Sequence, residues 1–142
     1  MKAIVSASAE ATPQFYDLDP MNIVWHGHYP RFLELGRMAV MNKIGYGYED
    51  MVASGYAWPV IDLRMRYARS MRLSQPVKIT AGIVEWENML RITYLIQEME
   101  SGERVMRASS TQVAVDFASN EMLWVCPAVL REKLAPFLPP PA

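Results

Sequence analysis

The stretch that most constrains this chain is YPRFLELGRMAVMNKI, Tyr29 to Ile44. It carries no β-branched cluster and opens on Pro30, which suits a first helical turn. Sixteen residues at the α-helical rise make a rod of roughly 24 Å. Its apolar positions Phe32, Leu33, Leu35, Met38, Ala39, Met41 and Ile44 cover more than one narrow stripe. A helix apolar over so much of its girth needs to be wrapped rather than laid on a surface. Gly45 and Gly47 then stop it, and a second short turn is expected at Tyr48 to Ser54, ended by Gly55.

Beyond this point the period changes from 3.6 to 2. Ile61, Leu63, Met65 and Tyr67 alternate with Asp62, Arg64, Arg66 and Ala68, which predicts a half-buried strand. Val77 to Ile83 and Leu90 to Ile96 alternate in the same way, and Glu87-Asn88 between them reads as a hairpin turn. Ser101-Gly102 marks the next turn, Arg104 to Phe117 a long strand, and Met122 to Val125 a short one after Ser119-Asn120. Pro127 to Ala135 reads as a closing helix. The order is therefore strand, long helix, short helix, then four or five antiparallel strands. A sheet with one apolar face and one very apolar helix have a single economical solution, an α+β domain whose sheet curls around the helix.

Composition narrows the function classes. The length of 142 residues fits one domain with one core, here residues 1–138, followed by a Pro-rich tail at 139–142 that should be extended. A net charge of -1 gives no electrostatic reason for a nucleic-acid partner. Cys126 is the one cysteine, so neither an intrachain disulfide nor a thiolate zinc site is available, and it reads as a small buried hydrophobe. The opening MKAIVSASAEATP is too short in apolar run for a secretory signal, and no segment reaches the ~20 apolar residues of a membrane span. A cytoplasmic protein is the expectation, with no cofactor and no metal.

The chemistry concentrates in FYDLDPMNIVWHGHYPRFLELGR, Phe15 to Arg37. Asp17 and Asp19 stand two apart, expected at a strand end with opposite facings. A loop with Pro20 and Asn22 follows, then Trp25-His26-Gly27-His28-Tyr29 directly before the helix. The first amides of a helix lack internal partners and carry the positive end of its dipole, so they can receive a developing oxyanion. Gly27 would let a substrate approach the backbone. His26 and His28 at i and i+2 do not share a helix face, so the pair makes a poor metal site.

These residues resemble the signature of the 4-hydroxybenzoyl-CoA thioesterase family of hotdog enzymes, roughly D-x-D-x-x-x-x-V-[WY]-x-x-x-Y-x-x-[FW]. Asp17, Asp19, Val24, Trp25, Tyr29 and Phe32 satisfy it. YARSMRLSQPVKI, from Tyr67, is similar to the family's strand entry Y-x-x-P-A-R-x-G-D-x-[LV], and the Pro127-led helix matches its C-terminal helix. The resemblance implies a hotdog fold and hydrolysis of an acyl-CoA or acyl-carrier-protein thioester, with Asp19 attacking the carbonyl or activating a water. Either route requires the ionised carboxylate, which a helix N-terminus favours. Asp17 falls at a less critical position of the family pattern and reads first as a strand-end or loop-capping carboxylate. Backbone N–H groups around His26 and Gly27 would hold the oxyanion, and the His26 side chain either contacts the thioester or packs at the helix start. His28 stands where relatives often carry Asn, with Asp19 or a water as its expected hydrogen-bond partner. Trp25 and Tyr29 would meet the substrate, and Arg69 and Arg72 the carrier's phosphates, in preference to Arg64, Arg66, Lys78 and Arg107. Glu34 and Arg37, at i and i+3, read first as an ion pair.

Two other functions compete. A 3-hydroxyacyl thioester dehydratase would cast His28 as base and Glu34 as acid, leaving the paired aspartates unexplained. A non-catalytic acyl-binding dimer would leave intact Asp19 without a task. The family resemblance also implies a homodimer or a homotetramer with its site at the subunit interface; the sequence adds that a bare sheet edge is a liability.

Overall fold

The computed structural model describes residues 2–140. A five-stranded antiparallel sheet runs in the order β1-β4-β5-β6-β3. Its strands are β1 (Val5–Ala11), β3 (Val60–Tyr67), β4 (Val77–Glu85), β5 (Leu90–Glu98) and β6 (Arg104–Gln112). The long helix α1 (Tyr29–Lys43) lies against β1, β4 and β5, α2 (Tyr48–Ser54) follows it, and α3 (Ala128–Leu134) closes the fold. A two-residue ladder joins β2 (Tyr56–Ala57) to β7 (Val115–Asp116). This is the α+β hotdog arrangement that the helix and the alternating runs predict.

The core sits between α1 and the sheet. Phe32, Leu33, Val40 and Met41 from the helix meet Ile79, Ala81 and Ile83 of β4 and Ile92 and Ile96 of β5, all buried. Each such side chain stabilises the fold by about 1.5–3 kcal/mol on burial. Gly36 sets how closely helix and sheet approach, because a Cβ there would stand 2.7 Å from Ile79 Cγ2.

Pro30 falls in the first turn of α1, and Gly55 ends α2 in the left-handed conformation at φ 86°. The β4–β5 hairpin turns at Glu87-Asn88, and α3 begins after Pro127. Phe137 and Leu138 pack on the core while Pro139 and Pro140 are exposed; the last two positions of the tail lie outside the described residues.

Four expectations are corrected. The strand at Ile61 to Tyr67 is not half-buried: β3 is the sheet edge, and Ile61, Leu63 and Tyr67 are all exposed, because α1 does not reach across to it. The helix is wrapped on one flank only, and Met38 is 58 % exposed on the other. The long strand Arg104 to Phe117 breaks after Gln112, where a register shift between Val60 and Asp62 ends the β3–β6 ladder and Pro59 has no N–H to continue it. Met122 to Val125 makes a single bridge, Met122 to Val115, rather than a strand. Among the described residues no helix is long and apolar enough to cross a membrane.

Candidate active site

Asp17 and Asp19 do not end a strand. β1 stops at Ala11, and Pro13 leads into a single 3-10 turn at Phe15–Asp17. Asp17 is fully buried and accepts the Gln14 N–H at 2.9 Å through Oδ2. Its Oδ1 pairs with the guanidinium of Arg31, which also lies over the Phe32 ring at 4.5 Å. The Asp17 carbonyl accepts the Trp25 N–H at 2.9 Å and His28 Nδ1 at 3.2 Å. A carbonyl can only accept, so His28 carries its proton on Nδ1. The carboxylate expected to be the lesser of the two is thus the bolt that locks the loop to the helix start.

Asp19 sits in a different setting. Its backbone is fixed by Asp19 N–H to Ile23 C=O and Asn22 N–H to Asp19 C=O, both 2.9 Å, with Asn22 left-handed at φ 65°. Oδ1 accepts the Met21 N–H at 2.8 Å in an Asx turn. The half-buried side chain lines a cavity of about 380 Å³ with His26, Tyr29, Tyr67, Arg69 and Ser70.

Two contacts hold this cavity in shape. The buried Tyr29 hydroxyl accepts the Met71 N–H at 3.1 Å, and Val24 N–H donates to Met71 C=O at 2.9 Å, so the loop after β3 is pinned against the start of α1. Burial pushes the Tyr29 hydroxyl above its ordinary pKa, which keeps it neutral. Tyr67 donates to the His26 carbonyl at 3.1 Å and stacks edge-on to Tyr29 at 4.9 Å. The 3-10 turn His26–His28 runs directly into α1. Its ladder begins with His28 N–H to Trp25 C=O at 2.8 Å, so the His26 and Gly27 amides precede any intrahelical partner.

The other sequence-selected residues fall apart from this group. Gly27 does not offer its face to a ligand, because a Cβ there would meet the Trp25 ring at 2.4 Å. Trp25 covers the turn and packs against His26 and His28 at 5.3 and 5.2 Å. His28 is committed to Asp17 rather than to Asp19. Arg69 reaches the cavity but is ion-paired with Glu98 and Glu103, whereas Arg72 is exposed outside the lining. Glu34 and Arg37 form the ion pair read from their spacing. Burial pushes the Cys126 thiol up to about 11, so it stays protonated at neutral pH.

Sequence reasoning missed Arg31 and the place of Tyr67 in the cavity; it read Asp17 as a strand-end or loop-capping carboxylate, and the side chain does cap the loop, from a 3-10 turn and with Arg31 as its unread partner. Arg31 lies 14 residues from Asp17, a separation at which periodicity carries no signal. A positive charge in the first turns of a helix, where the dipole disfavours it, was the available hint that a buried acid lies beneath.

Comparison with known proteins places the arrangement. The thioesterase-like superfamily model matches residues 13–140. A candidate esterase of Synechocystis sp. is 31% identical over 128 residues, covering 85% of this chain and 74% of that protein. A candidate acyl-CoA thioesterase of Bacillus subtilis, YneP, is 25% identical over 107 residues, 75% of this chain and 78% of its own length. Among solved structures, 4-hydroxybenzoyl-CoA thioesterase in complex with 4-hydroxybenzoyl-CoA superposes with a TM-score of 0.79 at 20% identity, covering 91% of this chain and 98% of that one.

Proposed function

The chain belongs to the thioesterase-like superfamily of hotdog enzymes, and from that premise we propose that it hydrolyses an acyl thioester with Asp19 as the reacting carboxylate. The observation that carries this reading is that Asp19 lines a cavity together with His26 at the helix start while Asp17 is buried and fully engaged. Oδ1 of Asp19 is held by the Met21 N–H, which leaves Oδ2 to act. In one route Oδ2 adds to the thioester carbonyl and the helix-start amide of His26, a residue of the cavity lining, stabilises the oxyanion. Collapse breaks the C–S bond, the thiolate leaves with the electron pair, and water hydrolyses the mixed anhydride to the acid and Asp19. In the other, Asp19 takes a proton from a water that attacks the same carbon. Oxygen-18 appearing in the enzyme after a single turnover distinguishes the first route from the second.

Residues 1–138 form the catalytic domain in this reading. The carrier is coenzyme A or an acyl carrier protein. Arg69 at the cavity would meet a carrier phosphate by exchanging its pair with Glu98 and Glu103. The dehydratase alternative loses support, since His28 is turned to Asp17, Glu34 is paired with Arg37, and neither lines the Asp19 cavity. A homo-oligomer is favoured by β3, a sheet edge whose Val60, Ile61, Leu63 and Tyr67 are exposed. The lone cysteine fits a cytoplasmic setting.

The test is thiol release from acyl-CoAs with short, long and aromatic acyl groups, and from acyl carrier proteins. Wild type should turn over at least one of them, and Asp19→Asn should lower that rate about 10³-fold or more. Turnover that survives in Asp19→Asn would sink the reading.

A further inference from the structure

The outer face of the sheet, turned away from α1, carries an unbalanced pair of charges. Successive strand residues point to opposite faces. Met65 and Tyr67 of β3 stand in register with Ala108 and Met106 of β6, and these with the buried Tyr94 and Ile96 of β5, so this set faces the helix. Arg64, Arg66 and Arg107 therefore face outward, and all three are exposed. Other bases of the sheet have an acid beside them. Lys78 stands opposite Glu10, Arg91 lies 4.0 Å from Glu85, and Arg64 reaches Asp62 at 3.2 Å. Arg66 and Arg107 instead stand directly opposite each other, and neither has an ion pair among the described residues. Like charges opposed on neighbouring strands destabilise a sheet. A local rule broken without compensation marks a task other than folding.

Location narrows that task. Neither arginine lines the Asp19 cavity, the cavity of about 480 Å³ beside Met38 and Trp58, or that of about 340 Å³ beside Cys126. Small ligands favour a concave site, whereas an open sheet face suits a macromolecular surface. Two unpaired guanidinium groups select an acidic one. A second copy fits poorly, because an isologous contact sets the same patch, and so arginine, on both sides. Directly beyond Arg66 the chain passes through Tyr67, Ala68, Arg69 and Ser70, all in the lining of the Asp19 cavity. Face and cavity thus meet round the end of β3. Pairing of β3 with another strand uses its backbone groups and leaves this route open.

On the reading that Asp19 hydrolyses an acyl thioester, we propose that the carrier is an acyl carrier protein whose acidic surface docks on Arg66 and Arg107. Its arm then rounds the end of β3 to reach Asp19. Coenzyme A could bring phosphates to Arg69 at the cavity, but it has no carboxylate surface to seat on the outer face.

Binding is read by calorimetry with a holo-acyl carrier protein that bears no acyl group. No turnover is needed, so thiol release tests the thioesterase reading separately. Wild type should bind the carrier protein, and less tightly as salt is added. Arg66→Ala with Arg107→Ala should weaken binding about tenfold or more. The Tm of that double variant should hold or rise, because the opposed charges are gone. Lys78→Ala, on the same face but opposite Glu10, should change binding by less than about threefold. Absence of binding by wild type, full binding by the double variant, or an equal loss in Lys78→Ala overturns the inference. So does coenzyme A binding with the same dependence on both arginines, which would assign the pair to phosphate. A double variant that sediments as a smaller species also overturns it, because the face would then belong to a second copy.

Discussion

Asp17 and Asp19 stand two positions apart, yet their surroundings differ in almost every respect that governs chemistry. Around Asp17 each oxygen is engaged, by the Gln14 N–H and by Arg31, and the carboxylate is sealed from solvent. Around Asp19 one oxygen is fixed by an Asx turn and the side chain borders a cavity. The first arrangement maximises rigidity and the second leaves an acid within reach of a ligand. One turn of chain thus divides a structural task from a chemical one, and the structural half positions the other: Asp17 C=O holds Trp25 N–H just before the turn His26–His28, and His26 lines the Asp19 cavity.

That contrast can be broken at its strongest point by Asp17→Ala. Arg31 is 46 % exposed and can turn to water once its partner is gone, so the full cost of a stranded buried charge does not apply. The loss should be about 2 kcal/mol, seen as a fall of about 8 °C in Tm by calorimetry. Tyr29→Phe comes next. It leaves the Met71 N–H without its acceptor at a buried position, which should cost about 1.5 kcal/mol and about 6 °C. The smallest effect belongs to Gly27→Ala. The added methyl displaces the end of an exposed Trp25 ring rather than backbone, so stability should move by less than about 0.5 kcal/mol, while tryptophan emission shifts to the red as the indole swings into water.

How much of this was legible in the sequence follows from the range of each interaction. α1 was readable because Pro30, the apolar spacing and Gly45 each act on backbone only a few residues away, and the β4–β5 hairpin because alternation on each side of Glu87-Asn88 is local. The partly exposed state of α1 and of β3 was not readable, since periodicity reports which side chains are apolar and not how far a sheet extends to cover them. The motif picked out Asp19, His26, Tyr29 and Arg69, which share one cavity. It misread the surroundings of Gly27 and His28, because the Trp25 ring over the one and the Asp17 carbonyl beside the other come from how the loop folds back. The lock between Asp17 and Arg31 and the contact from Tyr67 to the His26 carbonyl span 14 and 41 residues, beyond any local pattern.

The most direct test measures turnover and Tm together on Asp19→Asn and Asp17→Ala, with the assay held below both melting temperatures. The account predicts a crossed result: Asp19→Asn keeps the wild-type Tm and loses thiol release by about 10³-fold or more, whereas Asp17→Ala melts lower and keeps turnover within about tenfold. Thiol release by Asp19→Asn within tenfold of wild type, or a folded Asp17→Ala chain without turnover, would contradict the division of labour between the two carboxylates.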